Sequence, residues 1–289
     1  MQNINSNNPS AKQSPSEKRG VSLLKNTDLS IFSPGISTCG FAEIKMALQN
    51  KKRQIIATTI DTKGYEKTKK TINQLKLSNQ IHVKIEDITK PIPYTNKYFD
   101  FIYARLILHY LTKQELDKTL KELHRVLKPN GRIFIVVRKK DWEANTINSE
   151  YNNNTKMTTY PLLDSDRKHT PIKISRYLHT KNTISNHLKT AGFSIEYIKE
   201  YKEQLFRDYS RTSPAPKLSS VIELLANKIR PPEILLMFRY ASHKFEQISN
   251  FSKSQYYTQQ NPTLLLLFSI INYLGNNHSR CQYPHPLPN

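Results

Sequence analysis

Glycine is scarce in this chain, with 7 in 289 residues. Glycine lets backbone take a positive φ or approach a ligand closely, and a dinucleotide-binding turn of the form G-x-G-x-x-G needs three of them just after a strand. No such run is present, which excludes a dehydrogenase of the Rossmann kind. Cysteine is scarcer still. Cys39 and Cys281 stand far apart, frame neither a disulfide network nor a metal knuckle, and lead us to expect a reducing compartment, with cytoplasm as the default. No metal ligand set is expected. Long apolar runs are also missing: residues 263–274, "TLLLLFSIINYL", form a run of only twelve, whereas a bilayer span takes about 20. No transmembrane segment is expected, and this run reads as a buried or partner-binding helix. The opening "MQNINSNNPSAKQSPSEKRG" lacks the apolar centre of a secretory signal, and residues 1–22 are expected to be a disordered polar tail.

Acidic residues are the minority, 23 against 44 Lys and Arg, for a net charge of +21. Such a balance opens the option of a nucleic-acid partner. Against it, the basic residues are scattered instead of lying in one stripe, and Lys and Asn are abundant everywhere.

The chain does hold enough apolar residues, 37%, for a core in part of its length. Between residues 23 and 230 short β-rich runs alternate with amphipathic stretches, which predicts an α/β domain with a mostly parallel sheet. Strands are expected at "LSIF", "RQIIATTID", "IHVKIED", "YFDFIYARL" and "RIFIVV". Helices are expected at "EIKMALQ", at "YEKTKKTINQLKL" and at "KQELDKTLKELHRVL", where Leu116, Leu120, Leu123 and Leu127 share a face. "KPNG" should stop the last of these. Residues 139–176 show no clear periodicity and are expected to be a long functional connection. A helix then opens at Asn182 or Thr183 and stops at Gly192, followed by strands at "SIEYIKEY" and "SSVIELLA". Residues 231–289 are expected to be an added helical C-terminal extension.

In an open α/β sheet, ligands bind beyond the carboxyl ends of the strands where strand order reverses. Acidic residues at strand ends are therefore the informative ones. Asp61 closes the second strand, where a carboxylate accepts from ribose hydroxyls; its competing role is the N-cap of the lysine-rich helix that follows. Asp87 closes the third, where a carboxylate accepts from an adenine amine while the backbone N–H at Ile88 meets a ring nitrogen; its competing role is a turn residue. After the fourth strand, Arg105 is a candidate contact for a carboxylate. His109 is a candidate base or acceptor contact, because an imidazole changes protonation near neutral pH. Each competes with a structural role, a solvated charge for Arg105 and a satisfied core histidine for His109.

Residues 83–138, "VKIEDITKPIPYTNKYFDFIYARLILHYLTKQELDKTLKELHRVLKPNGRIFIVVR", resemble the central part of class I S-adenosylmethionine-dependent methyltransferases, and residues 176–195 resemble that family's later helix and sixth strand. The resemblance implies a doubly wound, mostly parallel seven-stranded sheet, the Rossmann-like methyltransferase fold, in which the last strand, "SSVIELLA", inserts antiparallel beside the fifth. It implies S-adenosylmethionine as cofactor. It also implies that the glycine-poor stretch "SPGISTCG" is a divergent cofactor loop, with Gly35 and Gly40 as its only glycines and no acidic residue at the end of the first strand. The fourth strand ends in "YARL", where relatives that methylate base amines carry an Asn/Asp-Pro-Pro-aromatic pattern, and no cysteine stands where pyrimidine 5-carbon methylation needs a nucleophile. A small-molecule acceptor is therefore expected first. An RNA- or protein-directed enzyme comes second, together with a cofactor-free adaptor that binds a protein partner through the C-terminal segment.

Overall fold

The computed structural model describes residues 13–36, 40–140, 149–162, 172–206, 214 and 218–228. All of these lie in the unit Met1–Arg230. The C-terminal extension expected over 231–289, including its apolar run, lies outside the described residues, as do Cys39 and Cys281.

Seven strands form one sheet: β1 (Ser30–Pro34), β2 (Gln54–Thr59), β3 (Ile81–Ile85), β4 (Phe99–Arg105), β5 (Leu127–Arg138), β9 (Phe193–Glu203) and β10 (Ser219–Lys228). Their order is β3-β2-β1-β4-β5-β10-β9. Pairs among β1 to β5 are parallel, while β10 runs antiparallel to both β5 and β9. This is the expected sheet, with "SSVIELLA" inserted beside β5. The order reverses between β1 and β4, so their carboxyl ends flank the crevice of the fold.

Side-chain alternation divides the core. Phe101, Tyr103, Phe134 and Val136 pack on one face with Val21, Ile44 and Ile72 from helices α1 (Pro15–Ser22), α2 (Phe41–Gln49) and α3 (Thr62–Gln74). Ile102, Ala104, Ile133, Ile135 and Val137 pack on the other with α4 (Lys113–Val126) and α5 (Lys181–Thr190). A central strand buried on both faces has apolar residues throughout, which is how "RIFIVV" reads. On α4, Leu116, Leu120 and Leu123 are fully buried, each contributing about 1.5–3 kcal/mol of apolar transfer. Its start is fixed by a capping box in which Thr112 Oγ1 accepts from Glu115 N–H at 3.3 Å and the Glu115 carboxylate accepts from Thr112 N–H at 2.9 Å.

Three expectations are corrected. The polar tail is not disordered throughout, because α1 docks on the sheet within it. A Cβ on Gly20 would lie 2.4 Å from Tyr103 Cε2 and 2.6 Å from Phe134 Cε1, so the helix sits against the strands at its glycine. The residues α1 buries include Ser16 and Glu17, and a helix that buries polar side chains shows no apolar stripe in sequence. The long connection after β5 carries a second, three-stranded antiparallel sheet, β6 (Glu150–Asn152), β7 (Met157–Leu162) and β8 (Ile172–Arg176). Its strands are only three to six residues long, and an apolar alternation such as Ile172 and Ile174 on β8 is too short to stand out in sequence. Finally, α5 is capped by Thr180, with Thr183 as the reciprocal partner, rather than by Asn182 or Thr183. Gly192, at φ +95°, closes it as expected.

Candidate functional site

Strand β1 ends at Pro34 and Gly35 turns the chain at φ +70°, after which Ile36 N–H donates to Thr58 O at 2.8 Å. Just past the end of the neighbouring strand β4, Leu106 takes the left-handed conformation at φ +56°, a strained turn for a bulky residue. That turn lays Ile107 on Gly35, where an added Cβ would meet Ile107 Cγ1 at 2.6 Å. Gly40, at φ +61°, is the N-cap of α2. Both expected glycines therefore stand where the backbone requires them.

Between β1, β4, α1 and α2 lies a small pocket lined by Glu17, Ser33, Gly35, Glu43, Tyr103 and Arg105. Glu17 and Glu43 are buried, and Ser33 donates its hydroxyl to Glu43 Oε1 at 2.5 Å. Arg105 forms the basic wall. Its Nε donates to Ser16 Oγ at 2.7 Å, its Nη2 donates to Ser14 Oγ, and it pairs with buried Glu203 at 3.4 Å. Glu203 also accepts from Ser16 N–H at 3.0 Å and from Ser16 Oγ at 2.8 Å. The solvated helix-start charge weighed for Arg105 is thus replaced by a buried, pocket-lining one, whose nearest carboxylate belongs to its own chain.

Asp61 and Asp87 stand side by side. Thr59 pairs with Ile85 in the β2–β3 register, and each aspartate lies two residues beyond that pair. Asp61 Oδ1 accepts from Lys63 N–H at 3.1 Å and so caps α3. Asp87 Oδ1 accepts from Thr89 N–H at 2.9 Å and from Thr89 Oγ1 at 2.8 Å. The bond from the Thr89 backbone is the main reason its carboxyl sits below the usual range. Both structural roles weighed from sequence are therefore filled, but each uses only Oδ1. Among the described residues Oδ2 of both carboxylates has no protein partner, and the exposed side chains of Ile60 and Ile85 lie beside them in sequence. Ile88 is half-buried, its carbonyl accepting from Thr119 Oγ1 at 3.2 Å.

His109 lies in a 3-10 turn, Leu108–Tyr110, and is 1% exposed. Burial, then the nearby Arg176 and Arg138, hold its pKa well below the usual imidazole value. Here the expectation of a histidine titrating near neutral pH is corrected: this imidazole is neutral at physiological pH. Its Nδ1 has no hydrogen-bond partner among the described residues. The chain after β8 fixes the surroundings, with Tyr177 N–H donating to His109 O at 2.8 Å and His179 N–H to Arg138 O at 3.1 Å.

Sequence reasoning missed Glu17, Glu43 and Glu203, and on the other side Arg138, Arg176 and His179. Glu43 had a signal, since a carboxylate in the first turn after Gly40 points back toward the strand end. The others are brought in by long-range packing that no local spacing reveals. Among the described residues no group of three or more His, Cys, Asp or Glu side chains is placed to hold a metal ion, and no helix is long and apolar enough to cross a membrane.

Residues 37–135 match a family model described as a methyltransferase domain. Among solved structures, the chain is similar to a SAM-dependent methyltransferase from Methanosarcina mazei, with a TM-score of 0.58 and 17% identity over 73% of this chain and 96% of that one. It is similar to an S-adenosylmethionine-dependent methyltransferase from Clostridium acetobutylicum, with a TM-score of 0.52 and 14% identity over 74% and 91%. It is similar as well to the cyclase SpnF, with a TM-score of 0.51 and 16% identity over 74% and 81%. No curated protein matches the sequence. At these identities the structures share the fold.

Proposed function

We propose that this chain, a member of the class I S-adenosylmethionine-dependent methyltransferase family, transfers a methyl group from S-adenosylmethionine to a small-molecule acceptor. The observation that carries the proposal is the alignment of Asp61 and Asp87 two residues past one register pair, each with an oxygen to spare, next to a strand-end turn at Gly35 that opens on an acidic pocket.

The residues fit the cofactor. Asp61 Oδ2 accepts from ribose hydroxyls, and Asp87 Oδ2 with the Ile88 N–H matches an adenine edge. Buried Glu17 and Glu43 suit an ammonium and a sulfonium, and Arg105 suits a carboxylate. Gly35 and Gly40 let the loop approach. When bound, the cofactor supplies a methyl group already activated by its sulfonium, so the protein has to align the acceptor and exclude water. His109, neutral and buried, offers one ring N–H and one ring lone pair to orient the acceptor molecule without taking up a proton. A cytoplasmic setting fits the reading.

Small-molecule specificity is supported by the β6–β8 sheet, which brings Arg176 against the turn after β4 and so encloses that end of the site. A fold shared with a cyclase does not fix the reaction, so cofactor binding is the first test. Calorimetric titration with S-adenosylmethionine and S-adenosylhomocysteine should give one saturable site, weakened by Asp61→Ala and by Asp87→Ala. A well-folded protein that binds neither would leave the fold and remove the activity, and the search would turn to a protein or RNA partner.

A further inference from the structure

Buried and half-buried arginines among the described residues are, with two exceptions, paired with a carboxylate or with backbone carbonyls. Half-buried Arg105 pairs with Glu203 at 3.4 Å, Arg132 pairs with Asp28 at 2.9 Å, and Arg53 donates to the carbonyls of Asp28, Met46 and Lys25. The exceptions are Arg138, at the end of β5, and Arg176, at the end of β8. Neither has a carboxylate within ion-pair range among the described residues. Arg176 is 8% exposed, and its only polar partners among the described residues are phenols: it donates to Tyr160 Oη and, at 3.3 Å, to Tyr110 Oη. Its guanidinium also lies over both rings, 5.3 Å from the Tyr110 centroid and 5.6 Å from that of Tyr160, while its Nε has no partner among the described residues.

The two guanidiniums are near neighbours. Burial, and then the repulsion of Arg176, bring the pKa of Arg138 down to about 10. Two buried histidines complete the group. His109 Nδ1 and both ring nitrogens of His179 have no hydrogen-bond partner among the described residues, and each neutral imidazole has one N–H to donate. Burying a cation without a counter-charge is unfavourable, and placing a second beside it is more so. Such an arrangement persists where something outside the fold compensates it. Neutral phenols hold a guanidinium weakly, whereas a carboxylate accepts two parallel N–H bonds from it.

We propose that Arg138 and Arg176, with His109 and His179, form an oxyanion-binding site for the acceptor, so that the substrate of this enzyme is a small molecule bearing a carboxylate. The site lies beyond the ends of β4 and β5, on the far side of Arg105 from Asp61 and Asp87 in strand order. It contains no residue assigned to the cofactor. The inference rests on the methyltransferase reading for the role of the bound molecule, but not for the existence of the site.

The probes are benzoate and inorganic phosphate, titrated calorimetrically into the full chain at fixed ionic strength, with S-adenosylhomocysteine titrated into the same preparations. Saturable benzoate binding that Arg176→Gln and Arg138→Gln each weaken tenfold or more, with S-adenosylhomocysteine affinity unchanged, is the expected result. Phosphate binding tighter than benzoate, lost in the same variants, would keep the oxyanion site and overturn the carboxylate assignment. Benzoate binding without S-adenosylhomocysteine binding would support the site while removing the methyltransferase reading. S-adenosylhomocysteine binding with no response to either anion, or anion binding indifferent to both substitutions, would overturn the proposal. Should a variant unfold, the wild-type measurement stands alone: benzoate must raise the unfolding midpoint of the intact protein, and no rise counts against the site.

Discussion

The hydroxyl of Ser33 donates to the carboxylate of Glu43 across 2.5 Å, so the end of strand β1 receives its negative charge from the first turn of helix α2. The end of β1 carries no acid of its own in sequence, and the pocket that Ser33 and Glu43 share is acidic all the same. Glu43→Gln keeps the shape and removes the charge. We expect S-adenosylmethionine and S-adenosylhomocysteine affinities to fall together by about tenfold or more, since both carry the ammonium and a charged hydrogen bond contributes about 1.5–3 kcal/mol. Isothermal titration with both ligands reads this, and an unchanged affinity would remove Glu43 from the site.

Asp61 has two tasks, and substitutions separate them. Its Oδ1 caps α3 and its Oδ2 has no protein partner among the described residues. Asparagine is as good an N-cap as aspartate, whereas alanine costs about 1 kcal/mol there. Asp61→Asn should therefore leave the unfolding midpoint near that of the wild type and weaken cofactor binding about tenfold, while Asp61→Ala should lower both. If Asp61→Asn binds like the wild type, the residue is a cap and nothing more.

These residues also show where the sequence was legible. Asp61 and Asp87 could be found because parallel strands present their ends in order, so an acid just after each β-rich run falls at one edge. The strands themselves were legible because β4 and β5 are buried on both faces and read as unbroken apolar runs. Helix α1 was not, since Ser14 and Ser16 look like tail residues until Arg105 and Glu203, far along the chain, are folded against them. The same holds for Arg176 and His179. Their surroundings come from a small sheet of short strands, and their meaning lies in which counter-charges are missing among the described residues, which only the packed structure shows.

Acid stability should report on the buried histidines. His109 lies well below its ordinary value of 6.5 and His179 is lowered to about 3, both first by burial, with Arg176 and Arg138 next for the former and His187 for the latter. In the unfolded chain both take up a proton below about pH 6.5, which the folded protein opposes, so the unfolded state binds more protons and stability falls as pH drops below 6.5, for His179 until pH nears 3. His179 contributes a slope of about 1.4 kcal/mol per pH unit once the pH is well under 6.5, and His109 adds in the same direction. Urea unfolding followed from pH 7 to 4.5 should show the loss before most carboxylates titrate. His179→Leu, which removes a ring with no hydrogen bonds among the described residues, should reduce the slope by about 1.4 kcal/mol per pH unit; an unaltered slope would place the pH dependence elsewhere.

Arg105 and Glu203 pose the remaining question of whether the guanidinium in the pocket serves the cofactor or only anchors α1. Its bonds to Ser14 and Ser16 and its pair with Glu203 are all buried or partly so. Glu203→Ala strands the cation and should cost about 3–5 kcal/mol, because the loss of one partner leaves the other charge without compensation. Replacing both with apolar side chains of similar volume, Arg105→Met with Glu203→Leu, should recover most of that loss, since the desolvation of both ions disappears with their attraction. Stability and binding then part. If Arg105 holds the carboxylate of S-adenosylmethionine, the double variant is about as stable as the wild type yet binds the cofactor about tenfold more weakly, the loss of one charged hydrogen bond. Chemical denaturation and calorimetry on the wild type and these two variants measure the two quantities. Full binding by a stable double variant would make Arg105 an anchor for α1 and leave cofactor recognition in the pocket to Glu17 and Glu43.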